Sequence, residues 1–287
     1  MLNKLAQVLL RGVDDTSFCR LQYFRRHLRW PDLANPCSFN EKILWLKIHR
    51  RDPLLRLCAD KFTVRDYVRE KAGEEFLIPL LGVWESAEAI DFSKLPGRFV
   101  LKASHGSGMN ILCRDRDTFD ENVARRKFSR WLQMDFSKVG REWCYSSLTP
   151  RIVCEEFLAD SNGEPPWDYK FFCYHGKPRF VQVDYARFQS HTRALYDTAW
   201  NRIPCRLEYT LQKTDSLPPP NLQGMLDLAA KLSKPFPFVR VDLFALREQI
   251  FFGELTFYPG KGVERFHPRE FDRIFGEPLD LRCVASS

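Results

Sequence analysis

The chain has 287 residues, 44% hydrophobic and 28% charged, enough apolar material for a multi-lobed enzyme with a sizeable core and too much for a disordered binder. No run approaches the roughly 20 apolar residues of a membrane-spanning helix, and the opening offers only residues 5–10 before Arg11, so neither a signal peptide nor a transmembrane segment is expected. A formal net charge of +7, clustered at Arg25, Arg26, Arg29 and again at Arg50, Arg51, Arg56, favours anionic partners without selecting one.

The first ninety or so residues read as helical. Ser38 followed by Glu41 forms a capping box, and Phe39, Ile43, Leu44, Leu46 and Ile48 then recur near helical spacing. A second helix is expected over residues 54–71, ended by Gly73, and the broken apolar segment 76–84 reads as a connector into a sheet.

From there the period changes. Residues 98–103, 151–158, 168–174, 178–185, 238–246 and 249–257 are strand-like, with helices at about 117–135 and 222–232. His175-Gly176 and Arg247-Glu248 separate consecutive strands and predict antiparallel hairpins, so the class is α+β. Pro218-Pro219-Pro220 reads as a loop. The nine cysteines fall singly, without a C-x-x-C pair; neither a disulfide framework nor a zinc site is indicated, and a cytoplasmic location is expected.

The strand Phe99-Val100-Leu101-Lys102-Ala103 runs into Ser104-His105-Gly106-Ser107-Gly108-Met109-Asn110, a small-residue loop whose N–H groups can approach phosphate oxygens closely. It has neither the Gly-Lys-Ser/Thr of a Walker A loop nor the third glycine of a dinucleotide fingerprint. Lys102, near the end of an apolar strand, needs a partner or a bound anion. Lys61 is a second candidate, and an inward-facing carboxylate from Glu155-Glu156 suits a base amino group or ribose hydroxyls.

The last hairpin carries Val239-Arg240-Val241-Asp242 and Gly253-Glu254-Leu255-Thr256. A turn centred on Glu248 would place Asp242 opposite Glu254 and Arg240 opposite Thr256. Two facing carboxylates repel, and a divalent ion such as Mg²⁺, bound by these oxygens and by phosphates, is the economical remedy. Arg240 beside them suits developing negative charge. A surface salt-bridge ladder is the competing explanation.

The order of these pieces resembles the ATP-grasp superfamily. The resemblance is specifically to its TupA-like, teichuronopeptide-biosynthesis family, through Ser38-Phe39-Asn40-Glu41-Lys42, Asp60-Lys61-Phe62-Thr63-Val64-Arg65, Leu95-Pro96, residues 99–108, Glu155-Glu156, Asp168-Tyr169-Lys170-Phe171, Arg240-Val241-Asp242 and residues 252–257. It covers about residues 36–268 and implies two α+β lobes clasping ATP behind a short, mainly helical N-terminal region. The corresponding parts are residues 1–60, 61–158 and 159–287.

By that resemblance Lys61 and Lys102 contact nucleotide phosphates beneath a loop of Ser104, His105, Gly106, Ser107 and Gly108. Glu155, Glu156, Phe157 and Leu158 line the adenine pocket, and Asp168 with Lys170 lies near the ribose. Asp242, Glu254 and Thr256 take Mg²⁺, with Thr256 standing where many relatives have asparagine, and Arg240 and Lys102 stabilise charge.

The implied reaction is ligation of a carboxylate to an amine through an acyl phosphate, joining an amino acid or peptide to an acidic sugar in capsule, exopolysaccharide or teichuronopeptide synthesis. No nucleic-acid partner is expected, and peripheral membrane association stays open. His105, His267 and residues 258–262 are candidates for substrate contact. A glycan kinase on the same fold and a non-catalytic polyanion binder are the alternatives.

Overall fold

A computed structural model describes residues 12–160, 162–185 and 191–284; the opening apolar run at residues 5–10 lies outside them. The N-terminal region is helical: α1 (Asp15–His27), α2 (Phe39–His49), α3 (Pro53–Ala59) and α4 (Val64–Lys71). Ser38 and Glu41 close the capping box of α2.

The single helix expected over 54–71 is two. Pro53 occupies the first turn of α3. At its end Asp60 accepts N–H bonds from Phe62 at 2.8 Å and Thr63 at 3.0 Å, so the chain turns there.

Two sheets follow. The small sheet has four strands, β1 (Leu80–Trp84), β2 (Phe99–Ala103), β3 (Asn110–Cys113) and β4 (Ile152–Glu156), in the order β1-β4-β2-β3. Along β2 and β4, Phe99, Leu101, Ala103, Ile152 and Cys154 enter a core shared with Ala124 and Phe128 of α5 (Glu121–Leu132). The period of two therefore turns Lys102 and Glu155 to the other face.

The large sheet has seven strands, with order β10-β7-β6-β5-β11-β12 and β8 beside β7. They are β5 (Asp168–Tyr174), β6 (Lys177–Tyr185), β7 (Thr192–Asp197), β8 (Arg202–Ile203), β10 (Thr210–Leu211), β11 (Phe238–Leu246) and β12 (Gln249–Thr256). Both expected hairpins are present, Tyr174 pairing with Lys177 and Leu246 with Gln249. Strand β9 (Arg206–Leu207) pairs separately with β13 (Phe266–His267).

Helix α6 (Leu222–Ser233) covers one face of the large sheet with Met225, Leu228, Ala229 and Leu232 over Phe171, Cys173, Val181 and Val241. On the other face, Phe39 of α2 meets Phe172 and Phe238 at ring distances of 5.7 and 5.2 Å, and Phe275 of α7 (Glu270–Gly276) meets Phe172 at 5.6 Å. Gly276 is where the helices touch: a Cβ there would come within 2.6 Å of the Phe39 nitrogen.

The link between the sheets is short. Leu77 bridges Phe252 at the edge of the large sheet, while the Pro79 carbonyl accepts from Glu156 of the small one at 3.0 Å. Among the described residues, no helix is long and apolar enough to cross a membrane.

Candidate active site

The β11–β12 hairpin pairs Asp242 with Glu254 and Arg240 with Thr256, as the alternation predicts, but by a different route. Its turn is two residues, Arg247 and Glu248, so partners near it sum one lower than expected, with Phe244 facing Phe251. A bulge between Asp242 and Leu243 then restores the offset. Gly253 is the residue opposite, and a Cβ on it would stand 3.0 Å from the Asp242 carbonyl oxygen.

Asp242 is not left to repel Glu254. Arg240 donates from Nε to its Oδ1 and from Nη2 to its Oδ2, both at 2.7 Å, and Lys170 donates to Oδ2 at 2.8 Å. Such bidentate pairing is the strong form of a charged hydrogen bond. Arg240 Nη2 also reaches Thr256 Oγ1 at 3.1 Å, and that hydroxyl stands 3.2 Å from Glu254 Oε1. Burial opposes the Arg240 charge, but Asp242 and Glu254 outweigh it and hold the guanidinium protonated more firmly than usual. Arg240 and Lys170 thus already offset part of the repulsion that the sequence assigns to a divalent ion or to a salt-bridge ladder.

Lys170, 3% exposed, is the hub of this face. Besides Asp242 it stands 3.5 Å from Asp168 Oδ1 and 3.9 Å from Asp184 Oδ2. On β6, Asp184 receives Arg193 Nε of β7 at 2.6 Å and Gln182 Nε2 at 3.1 Å, with His191 Nε2 3.2 Å away. Burial pushes the Asp184 carboxyl up, but His191, Arg193 and Lys170 prevail and hold it well below the carboxylate range. Glu264, buried 3.6 Å from Arg193, is pushed up by burial, and its Oε2 has no hydrogen-bond partner among the described groups.

The small sheet supplies the opposite wall. Lys102 of β2 is paired with Glu155 of β4, which also receives Arg65 of α4 at 2.9 Å, while Arg65 bonds the Ile78 carbonyl at 3.0 Å. Lys61 donates to the Gly106 carbonyl. Burial draws its ammonium below the ordinary range, and Glu254 is the strongest charge opposing that shift.

The glycine-rich loop divides in two. Ser104 is buried with its hydroxyl on Asp60 at 2.7 Å, and His105 Nε2 sits 3.1 Å from the Trp131 carbonyl. Both face the core, and burial lowers the His105 pKa. A Cβ on Gly106 would meet Met109 Cε at 2.3 Å, so this half lies tightly against the protein. Ser107, Gly108 and Asn110 instead border the cleft.

That cleft, of about 480 Å³, lies between the two sheets. It is lined by Lys61, Lys102, Glu155, Glu156, Phe157 and Leu158 from one side and by Asp168, Lys170, Asp242 and Glu254 from the other. Arg240, tied to Asp242, and Thr256, bonded to Arg240 and Glu254, do not line it. His267 is exposed on β13. Residues 258–262 pack on α2, where the Lys261 carbonyl accepts from Lys47 at 2.8 Å.

Sequence reasoning missed Asp184, Arg193, Arg65 and Glu264. Asp184 left a signal, an acid within the apolar run of β6. Arg193 acquires meaning from Asp184 on the preceding strand, and Arg65 and Glu264 only from neighbours distant in sequence.

A nucleotide-sized cleft between an antiparallel small sheet bearing a strand lysine and a larger sheet bearing a carboxylate hairpin defines an ATP-grasp fold. A family model described as TupA-like ATPgrasp matches residues 41–280, and the chain belongs to that family.

Solved structures similar to it include D-alanine–D-alanine ligase from Bacillus anthracis, at 15% identity and TM-score 0.46 over 78% of this chain and 66% of that one. Phosphoribosylamine–glycine ligase from Thermotoga maritima matches at 11% identity and TM-score 0.44 over 78% and 50%. ATP-grasp ligase PsnB, complexed with a phosphomimetic variant of its minimal precursor, Mg and ADP, matches at 12% identity and TM-score 0.43 over 91% and 65%. The chain thus spans between half and about two thirds of these structures. No curated protein matches.

Proposed function

We propose that the protein is an ATP-dependent carboxylate–amine ligase whose nucleotide binds between residues 61–158 and residues 159–287. The observation that carries this is one cleft holding Lys61 and Lys102 on one wall and Asp242 and Glu254 on the other. Lys61 and Lys102 meet the phosphates under Ser107 and Gly108. The β4 end from Glu155 to Leu158 lines the base pocket, and Asp168 with Lys170 borders the ribose.

The donor set fits Mg²⁺. On this face the carboxylates of Asp168, Asp184, Asp242, Glu254 and Glu264 outnumber Lys170, Arg193 and Arg240. Among the described residues no group of three or more His, Cys, Asp or Glu could hold a metal alone. The ion would therefore be held by Asp242 and Glu254, with Thr256 beside them, together with phosphate oxygens and water. Bound there, it would supply charge neutralisation on the transferring phosphoryl group.

In this reading the substrate carboxylate attacks the γ-phosphorus, ADP leaves, and the amine then displaces phosphate from the acyl phosphate to give an amide. Positioning and charge do most of this work. Arg240, fixed by Asp242 and not itself lining the cleft, lends positive charge to the tetrahedral oxyanion across that carboxylate, and Lys102 balances charge on the phosphates. The family supports an amino acid or peptide as one substrate and an acidic sugar or glycan precursor as the other, as in capsule or exopolysaccharide synthesis. The nine unbridged cysteines support a cytoplasmic setting.

Calorimetric titration with ATP and Mg²⁺ tests the reading. Glu254→Gln and Asp242→Asn should each weaken affinity at least tenfold, with urea melts controlling for the fold. Unchanged affinity in both would sink the site. Mass spectrometry of products from amino acid and uronic acid mixtures then tests the substrates, and ADP release indifferent to any amine would replace the ligase with a kinase.

A further inference from the structure

Helix α1 is built to be covered on both sides. Its buried residues are Cys19 and Tyr23, which pack with Leu44 on Phe18, Leu33, Ile48 and Val263. At roughly 100° per residue, the opposite face carries Leu21, Phe24 and Leu28. Trp30 continues this stripe by stacking on Phe24 at 4.5 Å. Leu28 is 79% exposed and Trp30 55%. The same helical geometry puts the exposed Arg20 and Arg25 on the two flanks of the stripe.

Leu28 adds a second observation. It caps α1 in the left-handed conformation, φ 56, where glycine is the unstrained choice. A large apolar residue thus occupies a strained position with its side chain in solvent. Folding alone gains nothing from it.

Of the arginines beside the stripe, Arg26 and Arg29 are paired with acids. Arg265 donates to the Arg26 carbonyl at 2.9 Å, and Arg29 lies over the Tyr23 ring at 5.2 Å. His27, between them, is driven down to a pKa of about 4 by burial and then by Arg29, Arg265 and Arg26. Glu208, Glu41 and Asp272 are the acids facing this group of arginines.

We propose that the outward face of α1 lies on an anionic lipid surface, Leu28 and Trp30 entering the headgroup boundary and Arg20 and Arg25 meeting lipid phosphates on either side. An apolar stripe flanked by arginines is the interfacial arrangement. An acidic glycan would gain little from an exposed leucine. A second copy docked antiparallel on the same face would set arginine against arginine.

Vesicle sedimentation of the full chain tests this independently of the ligase reading. Vesicles containing phosphatidylglycerol should retain the protein, those of phosphatidylcholine alone should not, and salt should release it. Combined Leu28→Gln and Trp30→Gln should lower partition by roughly tenfold or more, as should Arg20→Glu with Arg25→Glu, with affinity for ATP unchanged. Leu28→Gly separates the two roles, raising Tm while lowering partition. Equal partition onto both vesicle types, or full retention by these variants, overturns the proposal. So does loss, in the same variants, of acidic-polysaccharide binding or of a light-scattering dimer while vesicles remain unbound.

Discussion

Strand β5 solves the problem of burial in two ways on one backbone. On the α6 side Tyr169, Phe171 and Cys173 need only volume and contact. On the cleft side Asp168 and Lys170 are as deeply buried, yet Lys170 is stable there only because Asp168 beside it and Asp242 of β11 supply the opposite charge. A buried apolar face fails locally and by degrees. A buried ionic face fails as a unit, since removing one member exposes the others' uncompensated charge.

Two substitutions test that contrast at its largest. Lys170→Ala should cost about 3–5 kcal/mol in urea melts, because Asp242, Asp168 and Asp184 lose their common cation. Phe171→Ala should cost a similar 3–5 kcal/mol through its cavity. They part with pH. Asp184, held well below the carboxylate range partly by Lys170, contributes stability that is present above its unfolded pKa and lost as pH falls; Lys170→Ala removes part of that contribution, so its penalty at pH 7 shrinks as pH falls, and the Phe171→Ala penalty does not. Parallel pH profiles would break the comparison.

A smaller effect is expected at the bulge. Gly253→Ala forces a Cβ within 3.0 Å of both the Asp242 carbonyl and Phe244, costing about 1–3 kcal/mol. It should also weaken Mg-ATP affinity by displacing Asp242 against Glu254, whereas a change in stability alone would detach the bulge from the site.

The smallest lies outside the cleft. His27 stays neutral in the fold, with its pKa lowered to about 4. Stability at this position is whole above the unfolded pKa of about 6.5 and is lost as pH falls towards 4, because the unfolded chain takes a proton that the folded chain refuses. The loss is on the order of 1–2 kcal/mol after allowing for solvent screening, and His27→Gln should flatten it.

Much of the fold was legible because its signals are local. The runs 168–174 and 238–246 are so rich in β-branched and aromatic residues that the observed strands coincide with them. Strands β1 and β3 left weaker traces, one interrupted by Gly82 and the other opening straight from the loop at Asn110. The pairing of Asp242 with Glu254 was legible for a partly mistaken reason, since the assumed turn was half a residue off and the bulge at Gly253 compensated. The illegible part is what compensates charge. Arg65 to Glu155 joins elements ninety residues apart, and Arg193 to Asp184 depends on the register of two strands whose connecting segment carries no turn signal; no periodicity announces either.

Lys102 carries a last consequence. Its ammonium is already matched by Glu155, which Arg65 holds from the other side. If the proposed nucleotide site holds, an arriving phosphate would swap one anion for another, and the attraction it gains would be a difference between two pairings. Binding at this wall should accordingly vary less with ionic strength than the number of its lysines suggests, with Glu155, retained by Arg65, placed to take the lysine back on release.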